Sequence, residues 1–168
     1  SKLFVPASRP ELFTKALVGE ADALSFDLED AVAEARKDEA RGILSNFLCS
    51  PAARAHSKTV IVRVNAMETP HFLPDIAAVV REGVHLINLP KPESVTAVLQ
   101  AVESIAQATL ANGVGAAPGL LLNIETPKAL RTAAQLACCH PSVVGLQLGL
   151  GDLFEGFGVS RTEPSAIQ

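Results

Sequence analysis

Residues 119–126 read GLLLNIET, an apolar run that ends on a carboxylate. Leu120, Leu121, Leu122 and Ile124 form a nearly continuous hydrophobic segment, the pattern of a strand covered on both faces in a parallel sheet. Glu125 then stands at its C-terminal end, the position where catalytic groups gather in a β/α barrel. One unit later, residues 143–152 read VVGLQLGLGD, a second apolar run that stops at an acid. Glu125 and Asp152 are thus expected on adjacent strand ends, pointing into one mouth. Two carboxylates held there describe an oxygen-ligand site for a hard cation such as Mg²⁺. Acids at these positions also cap the helices that follow, and that reading stands beside the metal one.

The same rhythm extends outward over the chain. Residues 3–7 form a first strand, and Pro10 opens a helix with Leu12, Phe13, Ala16 and Leu17 on its apolar stripe. The second strand, residues 23–30 (ALSFDLED), ends in Asp27, Glu29 and Asp30. A helix over 36–48 points Ile43, Leu44, Phe47 and Leu48 inward and Lys37, Asp38, Glu39 and Arg41 outward. The β-branched strand 59–65 (TVIVRVN) carries one cation, Arg63. A helix over 72–82 stopped by Gly83 leads to a strand over 85–90 that runs into Lys91. Ser94 caps a long helix ending near 112–113, with Val95, Val98, Leu99, Val102, Ile105 and Ala106 on one face. Pro127 opens a helix that turns Leu130, Ala133, Ala134 and Ala137 to the sheet, and residues 143–150 form a sixth strand.

Strand–helix alternation at this spacing predicts an α/β fold with a parallel sheet and right-handed crossovers. A doubly wound sheet accommodates six strands, but acids and cations at nearly every strand end favour a TIM (β/α)8-type barrel, where those ends converge. The chain has 168 residues against about 250 for that fold. The expectation is therefore a single barrel domain over 1–168, truncated to about six β/α units and incomplete at the C-terminus. Open sheet edges favour association. A homo-oligomer, a trimer among the options, is the expected state.

With 48% hydrophobic residues and a net charge of −4, the chain can bury a substantial core and is mildly acidic. No basic run and no Trp or Tyr favours nucleic acid. Cys49, Cys138 and Cys139 show no ligand spacing and are expected as buried small hydrophobes in a reducing cytosol. No apolar stretch reaches the roughly 20 residues of a membrane span, and the start lacks a signal-peptide core, so a cytoplasmic location is expected. His56, His71, His85 and His140 fall in loops or at element edges, and none is a strong base candidate.

The segments LFVPASRPELFTKAL, DALSFDLEDAVAEARKDEAR, VIVRVNA, INLPKPES, LLNIETPKAL and LGLGDLFEGFG resemble, in order and spacing, the citrate lyase β-subunit-like family of the HpcH/HpaI aldolase/citrate lyase superfamily, which includes malyl-CoA and citramalyl-CoA lyases. The resemblance covers most of residues 2–158. It implies that Glu125 and Asp152 ligate Mg²⁺, with Glu125 also at the substrate and with water and substrate oxygens completing the octahedron. It places Arg63 on the substrate carboxylate, and Glu29 and Asp30 beside it as acids that orient Arg63 or metal-bound water. Arg9 and Lys15 correspond to basic positions that meet coenzyme A phosphates, and Lys91 is placed to pair with the DLED acids. The implied activity is a magnesium-dependent carbon–carbon lyase that cleaves or forms a 3-hydroxy acid or its CoA thioester, of the citryl-, citramalyl- or malyl-CoA type, through a metal-stabilised enolate. An oxo acid or acyl-CoA is the implied partner.

Each residue also has a structural role open to it. Arg63, in an apolar strand, needs an ion pair with Asp27 or Glu29. The three acids can form a solvated strand end, Lys91 can serve as a structural ion pair, and Arg9 and Lys15 can be solvated surface cations. Two other functions fit the same residues: a CoA-independent 2-oxo acid aldolase, and a non-catalytic subunit of a lyase complex. The absence of a histidine near the metal departs from the related pyruvate aldolases.

Overall fold

The computed structural model describes residues 1–160. Six strands, β1 (Lys2–Pro6), β2 (Ala23–Asp27), β3 (Thr59–Arg63), β4 (Leu86–Leu89), β5 (Gly119–Ile124) and β6 (Val143–Leu148), alternate with helices α1 (Phe13–Val18), α2 (Lys37–Leu48), α3 (Phe72–Val79), α4 (Val95–Ala111) and α5 (Pro127–Cys138), and α6 (Leu150–Gly156) follows β6. Every strand pairs in parallel with its neighbours in sequence, in the order β1-β2-β3-β4-β5-β6. Such pairing needs a crossover between each pair of strands, and the helices supply it.

The outward side chains of the central strands are shut from water by the helices. Leu24, Phe26, Val60, Val62, Ile87, Leu89, Leu120 and Leu122 are all buried. Burying a side chain of this size contributes about 1.5–3 kcal/mol. Phe13, Phe26 and Phe47 pack with ring centroids 4.8–5.4 Å apart, which locks α1, β2 and α2 together. Ser94 and Thr126 cap α4 and α5 by accepting from Ala97 N and Ala129 N.

β1 and β6 each pair on one side only, so the sheet curls without closing into a barrel. Lys2 Nζ on β1 nonetheless bonds Gln147 Oε1 on β6, which sets the first and last strands across a shared interior. Leu146 and Leu148, outward on β6, remain exposed. Among the described residues, no helix is long and apolar enough to cross a membrane.

Several expectations change. The strands end earlier, at Asp27, Arg63, Leu89 and Leu148, because the residues that follow turn out of the sheet toward the mouth. α3 stops at Val79 rather than residue 82, since Val80 is extended and Gly83, at φ +90°, makes the turn into β4. The buried face of α4 runs through Val98, Ala101, Ile105 and Ala108, leaving Leu99 and Ala106 exposed. α5 buries Ala129 and Leu136, with Leu130 and Ala134 exposed. Lys37 is buried and Arg41 nearly so, each drawn inward by polar partners described below. Cys49 and Cys138 are exposed and Cys139 is half-buried, all as free thiols, so they are not core residues. The C-terminal end of the expected domain, residues 161–168, lies outside the described residues.

Candidate active site

Register puts the first members of the site side by side. Asp27 on β2 is level with Arg63 on β3, which is level with Asn88 on β4. Since alternate residues of a strand share a face, all three point into the interior. Arg63 grips Asp27 with two bonds, Nε to Oδ1 at 2.9 Å and Nη2 to Oδ2 at 2.6 Å. This bidentate geometry is the strong form of the pair. Arg63 Nη1 also lies 2.9 Å from Glu29 and 3.1 Å from Asp30. Against the cost of burial, these acids hold the Arg63 pKa above its ordinary range.

Asp27 also shapes the loop that carries the other acids. Its two carboxylate oxygens accept from Glu29 N at 2.9 Å and Ala31 N at 3.2 Å, which bends the chain at the strand end. Lys37 Nζ reaches back from α2 and donates to Leu28 O at 2.8 Å and Glu29 O at 2.7 Å. Asn65 Nδ2 donates to the same Leu28 O, and Asp75 Oδ2 accepts from Asn65 N and Nδ2. Asp75 Oδ1 in turn accepts from Arg41 Nε at 2.7 Å, and Arg41 bonds His71, which meets Glu34. Glu29 is thereby held nearly buried, and burial pushes its carboxyl up to about 7 against the opposing pull of Arg63.

The second part of the site lies at β5 and β6. Glu125 is buried at the end of β5; its Oε1 accepts from Asn123 Nδ2 at 3.3 Å, and its Oε2 has no partner in the protein. Burial, and after it the charge of Asp152, raises the Glu125 pKa. Gly149 leaves the room for this side chain, because a Cβ there would stand 2.3 Å from Glu125 Cγ. Asp152 stands in the first turn of α6 rather than at the strand end itself. Lys91 joins the two halves, with Nζ 2.6 Å from Asp152 Oδ2 and 3.7 Å from Glu29 Oε1. Burial lowers the Lys91 pKa, but the bond to Asp152 and the charge of Glu29 outweigh it and leave a net rise.

Asp27, Glu29, Asp30, Glu125 and Asp152 are met by Arg63 and Lys91, so the mouth carries excess negative charge. Among the described residues, no three His, Cys, Asp or Glu side chains converge as a metal cage. Glu125 and Asp152 are near enough for the charge of Asp152 to raise the Glu125 pKa, and these two carboxylates, with the unpartnered Glu125 Oε2, are the oxygen donors that could face a cation keeping places for water and substrate. Of the three DLED acids only Asp30 is solvated, with its side chain 59% exposed. Arg9 and Lys15 stand apart from this cluster. Arg9 is paired with Glu11 at the surface at 2.8 Å, and Lys15 lines a groove with Leu3, Phe4 and Leu12.

The profile of the HpcH/HpaI aldolase/citrate lyase family matches residues 1–166. The chain belongs to this family. Citrate lyase subunit beta of Escherichia coli (strain K12) is 34% identical over 163 residues, 96% of this chain and 53% of that protein. A (3S)-malyl-CoA thioesterase of Cereibacter sphaeroides (strain ATCC 17025 / ATH 2.4.3) is 35% identical over 167 residues, 99% of this chain and 54% of that one. The structure of CitE from Mycobacterium tuberculosis in complex with magnesium, acetoacetate and coenzyme A superposes with a TM-score of 0.75 at 31% identity, covering 98% of this chain and 54% of that one. The chain spans about half the length of the curated relatives it matches.

The Lys37–Asn65–Asp75–Arg41 network carries no motif, yet two charges on apolar stripes signal it in the sequence. Asp75 falls among Phe72, Ile76 and Val79 on the apolar stripe of α3, and Lys37 falls in line with Ala40, Leu44 and Leu48 on α2. A charge on a buried stripe requires a buried partner.

Proposed function

We propose that the mouth binds Mg²⁺ through Glu125 and Asp152, and that the protein uses it in reversible aldol-type cleavage of a 3-hydroxy acid or its CoA thioester. One observation carries this reading: Glu125 Oε2 is buried without a partner beside the charge of Asp152. An unsatisfied buried acceptor costs about 1–3 kcal/mol, and a hard cation shared with Asp152 removes that cost. When bound, Mg²⁺ supplies Lewis-acid polarisation of the substrate carbonyl. The magnesium, acetoacetate and coenzyme A in the CitE complex support the same reading.

The chain's own groups divide the remaining work. Asp27 fixes the Arg63 guanidinium in place, and Asp30, solvated and 3.1 Å from Nη1, is the acid that a substrate carboxylate displaces. Glu29, with its pKa near 7, holds or releases a proton at neutral pH beside Arg63 and Lys91.

Turnover of malyl-, citramalyl- and citryl-CoA with and without Mg²⁺ tests this function. Metal-dependent cleavage that is lost in Glu125→Gln supports it, whereas full activity in Glu125→Gln or Asp152→Asn overturns it. A second reading, an aldolase of free 2-oxo acids, needs no substrate role for Arg9, which is paired with Glu11 at the surface. On that reading Arg9→Ala and Lys15→Ala leave substrate affinity unchanged.

A further inference from the structure

Among the described residues, Lys91 is the non-glycine position with positive φ, at +51°, and it lies between Pro90 and Pro92. A following proline pushes a residue toward extended backbone, and a Cβ disfavours the left-handed region, so this conformation is strained twice over. Strain of this kind persists where the surroundings demand it, commonly at functional sites. Here the backbone turn aims the side chain into the mouth, where its ammonium stands 2.6 Å from Asp152 Oδ2 and 3.7 Å from Glu29 Oε1.

We propose that Lys91 is the tethered counter-ion of the metal site: its ammonium holds Asp152 while the metal is absent and gives up that contact when the divalent cation binds. Metal affinity is then set by an exchange of cations, an inference that rests on the Glu125–Asp152 reading above. Two cations drawn to one carboxylate repel each other, so the ammonium and the metal compete for Asp152. Lysine suits the exchange, because its charge is compact and its four-carbon stem is flexible. Glu29 supplies the second resting place. Its Oε1 already lies near the ammonium, and moving there keeps Lys91 paired after Asp152 is taken.

The test is calorimetric titration of Mg²⁺ into the metal-stripped protein, comparing the wild type with Lys91→Met, Lys91→Gln and Glu125→Gln. Loss of one half-exposed ion pair to the competitor predicts binding about 1.5- to 5-fold tighter in Lys91→Met. Unchanged or weaker binding, in a variant whose circular dichroism shows it folded, overturns the proposal. Wild-type binding that vanishes in Glu125→Gln without tightening in Lys91→Met overturns this inference alone. No wild-type binding at all overturns the metal-site reading together with it. Should neither Lys91 variant fold, reductive methylation of the wild type read by mass spectrometry decides. Faster labelling of Lys91 with Mg²⁺ supports the exchange, and equal or slower labelling overturns it.

Discussion

Glu125 and Gly149 occupy one space: a Cβ built on Gly149 would lie 2.3 Å from Cγ and 2.4 Å from Oε1 of Glu125. The bare backbone at the end of β6 is therefore the wall against which the β5 carboxylate is set. Gly149→Ala must displace Glu125, and Mg²⁺ affinity is expected to fall about 10- to 100-fold, the usual effect of disturbing a ligand's support. Gly42 provides the contrast. It is exposed within α2 and a Cβ there meets nothing within 4 Å, so Gly42→Ala is expected to stabilise the protein by about 0.5–1 kcal/mol in denaturant melts.

Arg63 and Asp27 form a nearly buried pair, with side chains 12% and 2% exposed. Removing the cation leaves a buried carboxylate uncompensated, so Arg63→Met is expected to cost about 3–5 kcal/mol in urea unfolding. The double variant Arg63→Met, Asp27→Asn, which drops the buried charge but keeps Oδ1 to accept from Glu29 N, is expected to cost less than Arg63→Met alone. A larger cost in the double variant contradicts this account of the pair.

Lys37 holds the Glu29 loop through two backbone carbonyls. When the lysine is removed, Leu28 O keeps its bond from Asn65 and Glu29 O keeps its bond from Val32 N, so what is lost is two charge-assisted hydrogen bonds rather than the last donor of either carbonyl. Lys37→Met is expected to destabilise by about 1–3 kcal/mol, measured by chemical denaturation. A solvated lysine at this position would give almost no change.

Burial raises the Glu29 pKa from 4.5 to about 7 in the folded state. The native state therefore binds a proton that the unfolded chain has released, and the associated stability is complete below the unfolded value. It is lost as pH rises through about 7. The melting temperature of the metal-free protein is expected to fall between about pH 5 and pH 8, less steeply in Glu29→Gln. Glu11, Asp22 and Glu39 are shifted downward and titrate below this window, so they leave the sign unchanged.

The strands were legible because parallel strands covered on both faces must be apolar throughout, as Leu120, Leu122, Val60 and Val62 are. The meeting of Arg63 with the DLED acids was legible for the opposite reason, since a cation inside such a strand demands partners. Helix faces were less so. α4 and α5 are rich in alanine and valine around much of their circumference, so burial of Ala101 and Ala108 instead of Leu99 and Ala106 is a small rotation that composition does not decide. Residue type turns Lys37 and Arg41 outward, but the backbone carbonyls of Leu28 and Glu29 and the acid on α3 draw them in. Lys91 bridging to Asp152 depends on a left-handed backbone between two prolines, which no propensity rule for lysine anticipates.

The most direct measurement is anomalous X-ray diffraction from crystals of the protein grown with Mn²⁺ in place of Mg²⁺. The account predicts an anomalous peak bound by both Glu125 and Asp152 at about the 2 Å of a hard cation on carboxylate oxygen, with Lys91 withdrawn from Asp152. A peak elsewhere, with the two carboxylates unligated and Lys91 still on Asp152, contradicts it.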